Sequence, residues 1–208
     1  MDASDWDERY AGADLVWSAG PNVWVRELCS PLTPGRALDV AAGEGRNAIW
    51  LVEQGWTVTA ADFSPVAVSR IRDLAATRLD EDALRRLEAV VADATQPAPG
   101  TAYDLVLFSY LHLVREEWHR AVAAGVEAVA VGGRVLVVGH AQRNLTEGVG
   151  GPQDAAILLD PEDVLASVAG LPVAVELAQL RARDVEGEPR PALDTVVLLR
   201  RTEDAPAR

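Results

Sequence analysis

The residues with chemical potential cluster at a few places in the chain. The stretch Asp39-Val40-Ala41-Ala42-Gly43-Glu44-Gly45 is poor in packing side chains, yet it lies between an apolar run and a helical segment. Gly43 and Gly45 leave bare backbone that a ligand can approach closely. The unpaired amides of the following helix would face that ligand. The same glycines also fit a tight strand-to-helix turn. Asp62, in the run VTAADFSP, can accept two hydrogen bonds from ribose hydroxyls. Its alternative role is to cap the next helix, which Ser64 can do instead. Asp93, in VVADATQP, can accept from an adenine amino group, with the Ala94 amide facing a ring nitrogen; the competing role is an Asx turn. His112, in SYLHLV, and His140, in VGHAQ, are base or substrate-contact candidates, or else loop anchors. His119 lies inside a helical stretch and reads as a surface or packing residue. Three histidines with a single cysteine give no metal-site spacing, so no metal is expected.

The elements that must position these residues alternate. Strands are expected at Arg36–Val40, Thr57–Ala61, Glu88–Ala92, Tyr103–Ser109 and Arg134–Val138. They are short apolar runs, which suits a parallel sheet covered on both faces. Between them, helices are expected at Arg46–Gln54, from Ser64-Pro65 to about Ala76, over 80–87, and at Arg115–Ala130, the last stopped by Gly132-Gly133. A long loop, Gly139–Asp154, precedes a helix over Pro161–Ala169. Val173–Val185 and Leu193–Arg201 then form a hairpin. The fold class is therefore α/β: a doubly wound, mostly parallel, seven-stranded Rossmann-like sheet with a C-terminal antiparallel hairpin. In such a sheet a ligand sits beyond the carboxyl ends of the strands, where the glycine loop, Asp62 and Asp93 all fall. Residues 1–208 read as one domain: an N-terminal helical or lid segment (1–36), a core (37–201) and a tail (202–208). Asn22 is expected to cap a helix over Asn22–Leu32.

Composition removes several function classes. The net charge is -13, and the chain has no lysine, so an extended phosphate-binding surface is not expected. No apolar run approaches the roughly 20 residues of a membrane span. The acidic start, MDASDWDERY, has no signal-peptide core. The single Cys29, flanked by apolar residues, reads as a small buried hydrophobe in a reducing, cytoplasmic protein.

Taken together, ALDVAAGEGRNAIWLVEQGWTVTAADFSPVAV resembles the first signature of class I S-adenosylmethionine-dependent methyltransferases. VVADATQP, YDLVLFSYLHLV and GGRVLVVGH resemble the later ones, so the likeness spans roughly residues 33–140. The WDERYAGADLVWSAGPN opening and the GH…GVGGPQD loop are similar to small bacterial methyltransferases of the tellurite-resistance and thiopurine-type group. One departure is Ala41, where the family usually has its first glycine; its methyl is small, and little loss is expected. The resemblance implies S-adenosylmethionine as cofactor, leaving as S-adenosylhomocysteine. It implies that Asp39 orients the loop, Gly43 and Gly45 allow close approach, and Asp62 and Phe63 hold ribose and adenine. Asp93 and Ala94 would read the adenine edge, and Ser109 and Tyr110 would lie near the methionine part. Arg46, at the bend, can pair with the cofactor carboxylate; it also fits a solvated helix face.

The sulfonium is already an activated methyl donor, so placement of the acceptor is the main task, and a base is needed only if the acceptor must lose a proton. With little chain outside the sheet, a small-molecule acceptor is expected, with no nucleic-acid or membrane partner. Trp17, Tyr110, His112, His140, Arg143 and Asn144 are the candidate substrate contacts, and Trp6, Tyr10 and Trp17 the candidate lid. The acceptor atom (S, Se or Te, N or O) stays open, as does monomer against homodimer. Two other classes remain: an NAD(P)-binding oxidoreductase, disfavoured by Arg46 in place of the third glycine of the dinucleotide fingerprint, and a non-catalytic cofactor-binding regulatory protein.

Overall fold

The structure, a computed structural model, describes residues 20–203. Helix α1 (Val23–Cys29) is capped by Asn22, whose side chain accepts from the amides of Trp24 and Val25. It is followed by β1 (Arg36–Val40), α2 (Arg46–Glu53), β2 (Thr57–Asp62), α3 (Pro65–Arg78), the single turn α4 (Glu81–Leu84) and β3 (Leu87–Val91). Next come β4 (Tyr103–Ser109), α5 (Arg115–Ala128), β5 (Val129–His140), the short α6 (Asn144–Glu147), a 3₁₀ turn (Ala155–Ile157), α7 (Pro161–Ser167), β6 (Val173–Arg183) and β7 (Ala192–Arg201).

The seven strands form one sheet in the order β3-β2-β1-β4-β5-β7-β6. The first five are parallel; β7 runs antiparallel between β5 and β6. The central strands are covered on both sides, and their alternate residues divide between two cores. Ala37, Val58, Ala60, Leu105 and Leu107 pack with α1, α2 and α3. Leu38, Val40, Ala61, Val106 and Phe108 pack with α5 and α7. Double coverage is why the strands read as unbroken apolar runs. The order reverses between β1 and β4, and a crevice opens there at the strands' carboxyl ends.

Two local expectations change. Gly132 and Gly133 do not stop a helix. Helix α5 ends at Ala128, where Val129 is already extended, and both glycines lie inside β5. The β4–β5 register jumps there, from Tyr103 opposite Val129 to Leu105 opposite Arg134. Gly132 has φ 84°, which a β-branched residue would resist, so the pair makes an irregularity rather than a stop. Helix α1 is also shorter than Asn22–Leu32, because Ser30 closes it before Pro31.

Candidate active site

The cleft is built first from backbone. After β1 the chain takes left-handed conformations at Ala41, Gly43 and Gly45 (φ 56°, 57° and 81°). This reverses the chain and starts α2, with Gly45 at its N-cap. A side chain at Gly45 would press on Ile71 of α3 at 3.0 Å, so glycine is demanded there by both conformation and space. At Ala41 the expectation needs correction. The missing glycine matters through φ rather than size, since a left-handed alanine costs ~1–2 kcal/mol. Loop position is fixed by Ala42 N–H to Ala61 O (3.0 Å) and by a buried Glu44 paired with Arg70 of α3.

Asp62 is buried, and its two oxygens accept from Gly43 N (2.8 Å) and Ser64 N (3.0 Å). Ser64 caps α3, so Asp62 is free of that duty and instead ties the loop after β1 to the end of β2. Asp93 accepts from the amide and hydroxyl of Thr95, both at 2.8 Å, so it does form the Asx turn and also lines the cleft. Asp39 is fully buried beneath the loop, and neither of its oxygens has a hydrogen-bond partner among the described residues. Burial raises its pKa to about 7; the nearby Arg46 charge pulls it down, and Asp62 pushes it up.

The cleft encloses roughly 970 Å³, including its open mouth. Gly43, Arg46, Asp62, Phe63, Asp93, Ala94, Ser109, Tyr110 and His112 of the expected residues line it. Gly45 and Asp39 lie beneath it as supports. His140 does not line it. Its ring packs against Tyr110 (4.8 Å between centroids) and lies nearly parallel to His112 (5.9 Å, 8°). Trp17, Trp6 and Tyr10 fall outside the described residues.

Two of the candidate substrate contacts, Arg143 and Asn144, do not line the cleft. Arg143 is exposed and makes a two-pronged ion pair with Glu147, one helical turn away, at 3.0 and 2.7 Å. Asn144 is buried, but its amide is spent inside the protein: Oδ1 accepts from Leu193 N (2.7 Å), and Nδ2 donates to the carbonyls of Val149 and Gly150. It pins the glycine-rich loop to β7.

Sequence reading missed the largest polar cluster. Asp194 of β7 is fully buried and accepts from Trp24 Nε1 (2.9 Å), the Tyr110 hydroxyl (3.0 Å) and Arg183 Nε (2.7 Å). His140 Nδ1 lies 3.5 Å from it. Asn22 Nδ2 donates to the Tyr110 hydroxyl, and Asn47 Oδ1 accepts from Asn22 N. Tyr110 itself is left-handed (φ 58°), a conformation that persists only where surroundings over-determine it. Arg46 and Arg183 approach its ring at 5.8 and 5.9 Å. Burial raises the Tyr110 pKa further above its usual value and lowers that of Arg46. The only sequence signal for this hub was an acidic residue, Asp194, inside an otherwise apolar strand.

Both rings, His112 and His140, are pushed below the ordinary histidine pKa. Burial, then the neighbouring His140, brings His112 down to about 4. Burial also lowers His140, with Asp194 opposing and Arg183 adding to the shift. Cys29 is buried and its thiol is pushed up to about 12, first by burial and then by Asp39, which suits packing rather than nucleophilic work. Among the described residues no His, Cys, Asp and Glu cluster could hold a metal, and no helix is long and apolar enough to cross a membrane.

Residues 37–133 match the model of a methyltransferase domain family. The matched stretch runs from β1 into β5. The cofactor of such domains is S-adenosylmethionine. The fold agrees. A structure described as the conversion of a disulfide bond into a thioacetal group during echinomycin biosynthesis superposes with TM-score 0.75 at 22% identity, covering 97% of this chain and 93% of that one. The glycopeptide N-methyltransferase MtfA, complexed with S-adenosylmethionine, gives 0.66 at 19%, over 85% and 92% of the two chains. TehB from Haemophilus influenzae gives 0.68 at 16%, over 97% of this chain and 68% of that one. A 52-residue stretch is 40% identical to haemagglutinin 1 of Eikenella corrodens; it spans 25% of this chain and only 17% of that protein.

Proposed function

We propose that this protein transfers the methyl group of S-adenosylmethionine to a small molecule bound beside Tyr110 and His112. The observation that carries the reading is the cleft at the β1–β4 switch point, where a bare-backbone loop, a buried carboxylate on β2 and an Asx turn after β3 face one space. These residues fit the cofactor. Asp62 would hold its ribose, with Phe63 at the partly exposed rim against the adenine. The Asp93 carboxylate and Ala94 amide would meet the adenine edge. Arg46 would neutralise the cofactor carboxylate, and Ser109 Oγ, buried without a partner, would find one there. When bound, the cofactor supplies a methyl group already activated on sulfonium.

The protein's own share is placement and exclusion of water. Tyr110 is clamped from three directions and sets the wall at the reacting end. His112, held neutral, offers a hydrogen-bond acceptor but is a weak base, which favours an acceptor that arrives deprotonated or that keeps its proton count. MtfA is named for glycopeptide N-methylation, and the echinomycin structure for conversion of a disulfide bond into a thioacetal group during biosynthesis, which supports an acceptor other than nucleic acid here. The fold also hosts the [4+2]-cyclase SpnF, so binding without methyl transfer is the competing outcome.

Purified protein incubated with methyl-labelled S-adenosylmethionine and a cell extract, then fractionated, separates these readings. Label is expected in the small-molecule fraction. Label confined to RNA or protein overturns the acceptor class, and no label above the enzyme-free control, with cofactor binding intact, overturns the transfer reading.

A further inference from the structure

Tyr110 lines the cleft, but its hydroxyl is spent elsewhere. A phenol has one proton to give, and Tyr110 gives it to Asp194 Oδ2 at 3.0 Å. The same hydroxyl accepts from Asn22 Nδ2 at 3.1 Å. Neither Asp194 nor Asn22 is among the described residues that line the cleft. What Tyr110 presents to the cleft is therefore its ring and backbone rather than a proton.

The acceptor of that bond is anchored from several elements. Three donors converge on Asp194 Oδ2: the Tyr110 hydroxyl after β4, Trp24 Nε1 of α1 (2.9 Å) and Arg183 Nε of β6 (2.7 Å). Its other oxygen, Oδ1, faces Arg183 Nη2 (3.4 Å) and His140 Nδ1 of β5 (3.5 Å). A carboxylate tied in this way has no free direction in which to turn, so it carries the position of β5, β6 and β7 to Tyr110. Tyr110 keeps a left-handed backbone, φ 58°, which needs such a restraint. The His140 ring, opposite Asp194 in the β5–β7 register, backs the same wall by packing on Tyr110. Gly151 closes over His140 so tightly that a Cβ there would lie 2.7 Å from the ring.

We propose that Asp194 is a positioning residue for this site: from outside the cleft, its bond to the Tyr110 hydroxyl sets the ring against which the reacting end of the cofactor is placed. The proposal deepens the methyl-transfer reading and rests on it for what the wall does; the clamp on Tyr110 does not depend on that reading.

A hub that merely held β7 to α1 would lower stability without acting through Tyr110, and two readouts separate the roles. The first uses full chain carrying ¹³C in its tyrosine rings, with Tyr110→Phe identifying the Tyr110 signals. Asp194→Asn is expected to shift them and to leave those of Tyr103, whose hydroxyl bonds to Pro99 O, in place. The second is calorimetry with S-adenosylmethionine. Asp194→Asn and Tyr110→Phe should each weaken binding by about tenfold. The double variant should be no weaker than the weaker single one, because both changes break one bond. Leu199→Ala, a fully buried β7 position in the opposite core, lowers stability by a cavity and should leave both readouts unchanged. Should Asp194→Asn not fold, Tyr110→Phe breaks the same bond from its other end, and unchanged affinity there overturns the proposal. Unmoved Tyr110 signals or unchanged affinity in folded Asp194→Asn, losses that add in the double variant, or an equal loss in Leu199→Ala would also overturn it. A parent protein that binds no S-adenosylmethionine removes the methyltransferase reading instead, and the Tyr110 signals then decide the clamp alone.

Discussion

The two sides of the cleft are built by different means. On the β1–β2 side the cleft is lined by backbone and by carboxylates near strand ends. The parts are local: the loop from Ala41 to Gly45, and Asp62 bound to the amide of Gly43. On the β5–β7 side the floor is made of side chains from distant segments. Trp24 and Asp194 are 170 residues apart in sequence, and Tyr110 and Asp194 are 84 apart. The first construction needs only the right φ angles and an acceptor at the right strand end. The second is a buried polar network, which stabilises when every member is satisfied and costs heavily when one is lost.

The hub should therefore be the more fragile side. Asp194→Ala strands the Arg183 charge, the Trp24 indole and the Tyr110 hydroxyl. Removing one partner of a buried pair of this kind costs ~3–5 kcal/mol, to be read from denaturant unfolding. A loss under ~1 kcal/mol would erase the contrast between the two sides.

Asp39 supplies the next largest effect, and it depends on pH. Its folded pKa, about 7, lies above the ordinary value of 3.8. Between those values the folded state holds a proton that the unfolded chain has released. Its contribution to stability is therefore complete below about pH 4, falls as pH rises toward about 7, and is level beyond that. The distance between the two values bounds the effect at ~4 kcal/mol. Asp39→Asn should match the parent at low pH and gain on it steadily up to neutrality in unfolding curves taken across this range. A parallel offset at every pH would show that Asp39 is ionised throughout.

Asp62→Ala acts on the backbone-built side. Stripping charge-assisted hydrogen bonds should weaken S-adenosylmethionine binding by ~2 kcal/mol, near thirtyfold, in calorimetry. Unchanged affinity would take the ribose from Asp62 and leave it the role of holding the loop after β1 to the end of β2. The smallest effect is a gain. Ala41→Gly relieves a left-handed alanine, offset in part by extra freedom of the unfolded chain, and should raise unfolding free energy by ~0.5–1 kcal/mol. A decrease would mean that the Ala41 methyl contributes more by contact than its φ costs.

Much of this protein follows from local rules written in its sequence. The strands at Arg36–Val40 and Tyr103–Ser109 fall where apolar runs place them. Asn22 and Ser64 cap their helices because a short oxygen-bearing side chain there meets free amides. The glycine loop, Asp62 and Asp93 were legible for the same reason: each falls at or just past a strand end, and a parallel sheet brings strand ends together without any side chain having to be known. Tertiary structure decided the rest. Asp194, Arg183, Trp24 and Asn47 carry no local signature, since a buried carboxylate is identified only by the donors that fold around it. Arg143 and Asn144 looked alike in sequence as polar loop residues, yet one ends in solvent beside Glu147 and the other is consumed by three backbone groups. His112 and His140 announced themselves as histidines after strands; that they lie ring to ring, and that only His112 reaches the cleft, was set by how β4 and β5 end side by side. Propensity and periodicity act over a few residues, whereas the pairing of buried polar groups is settled only when the whole core closes around them.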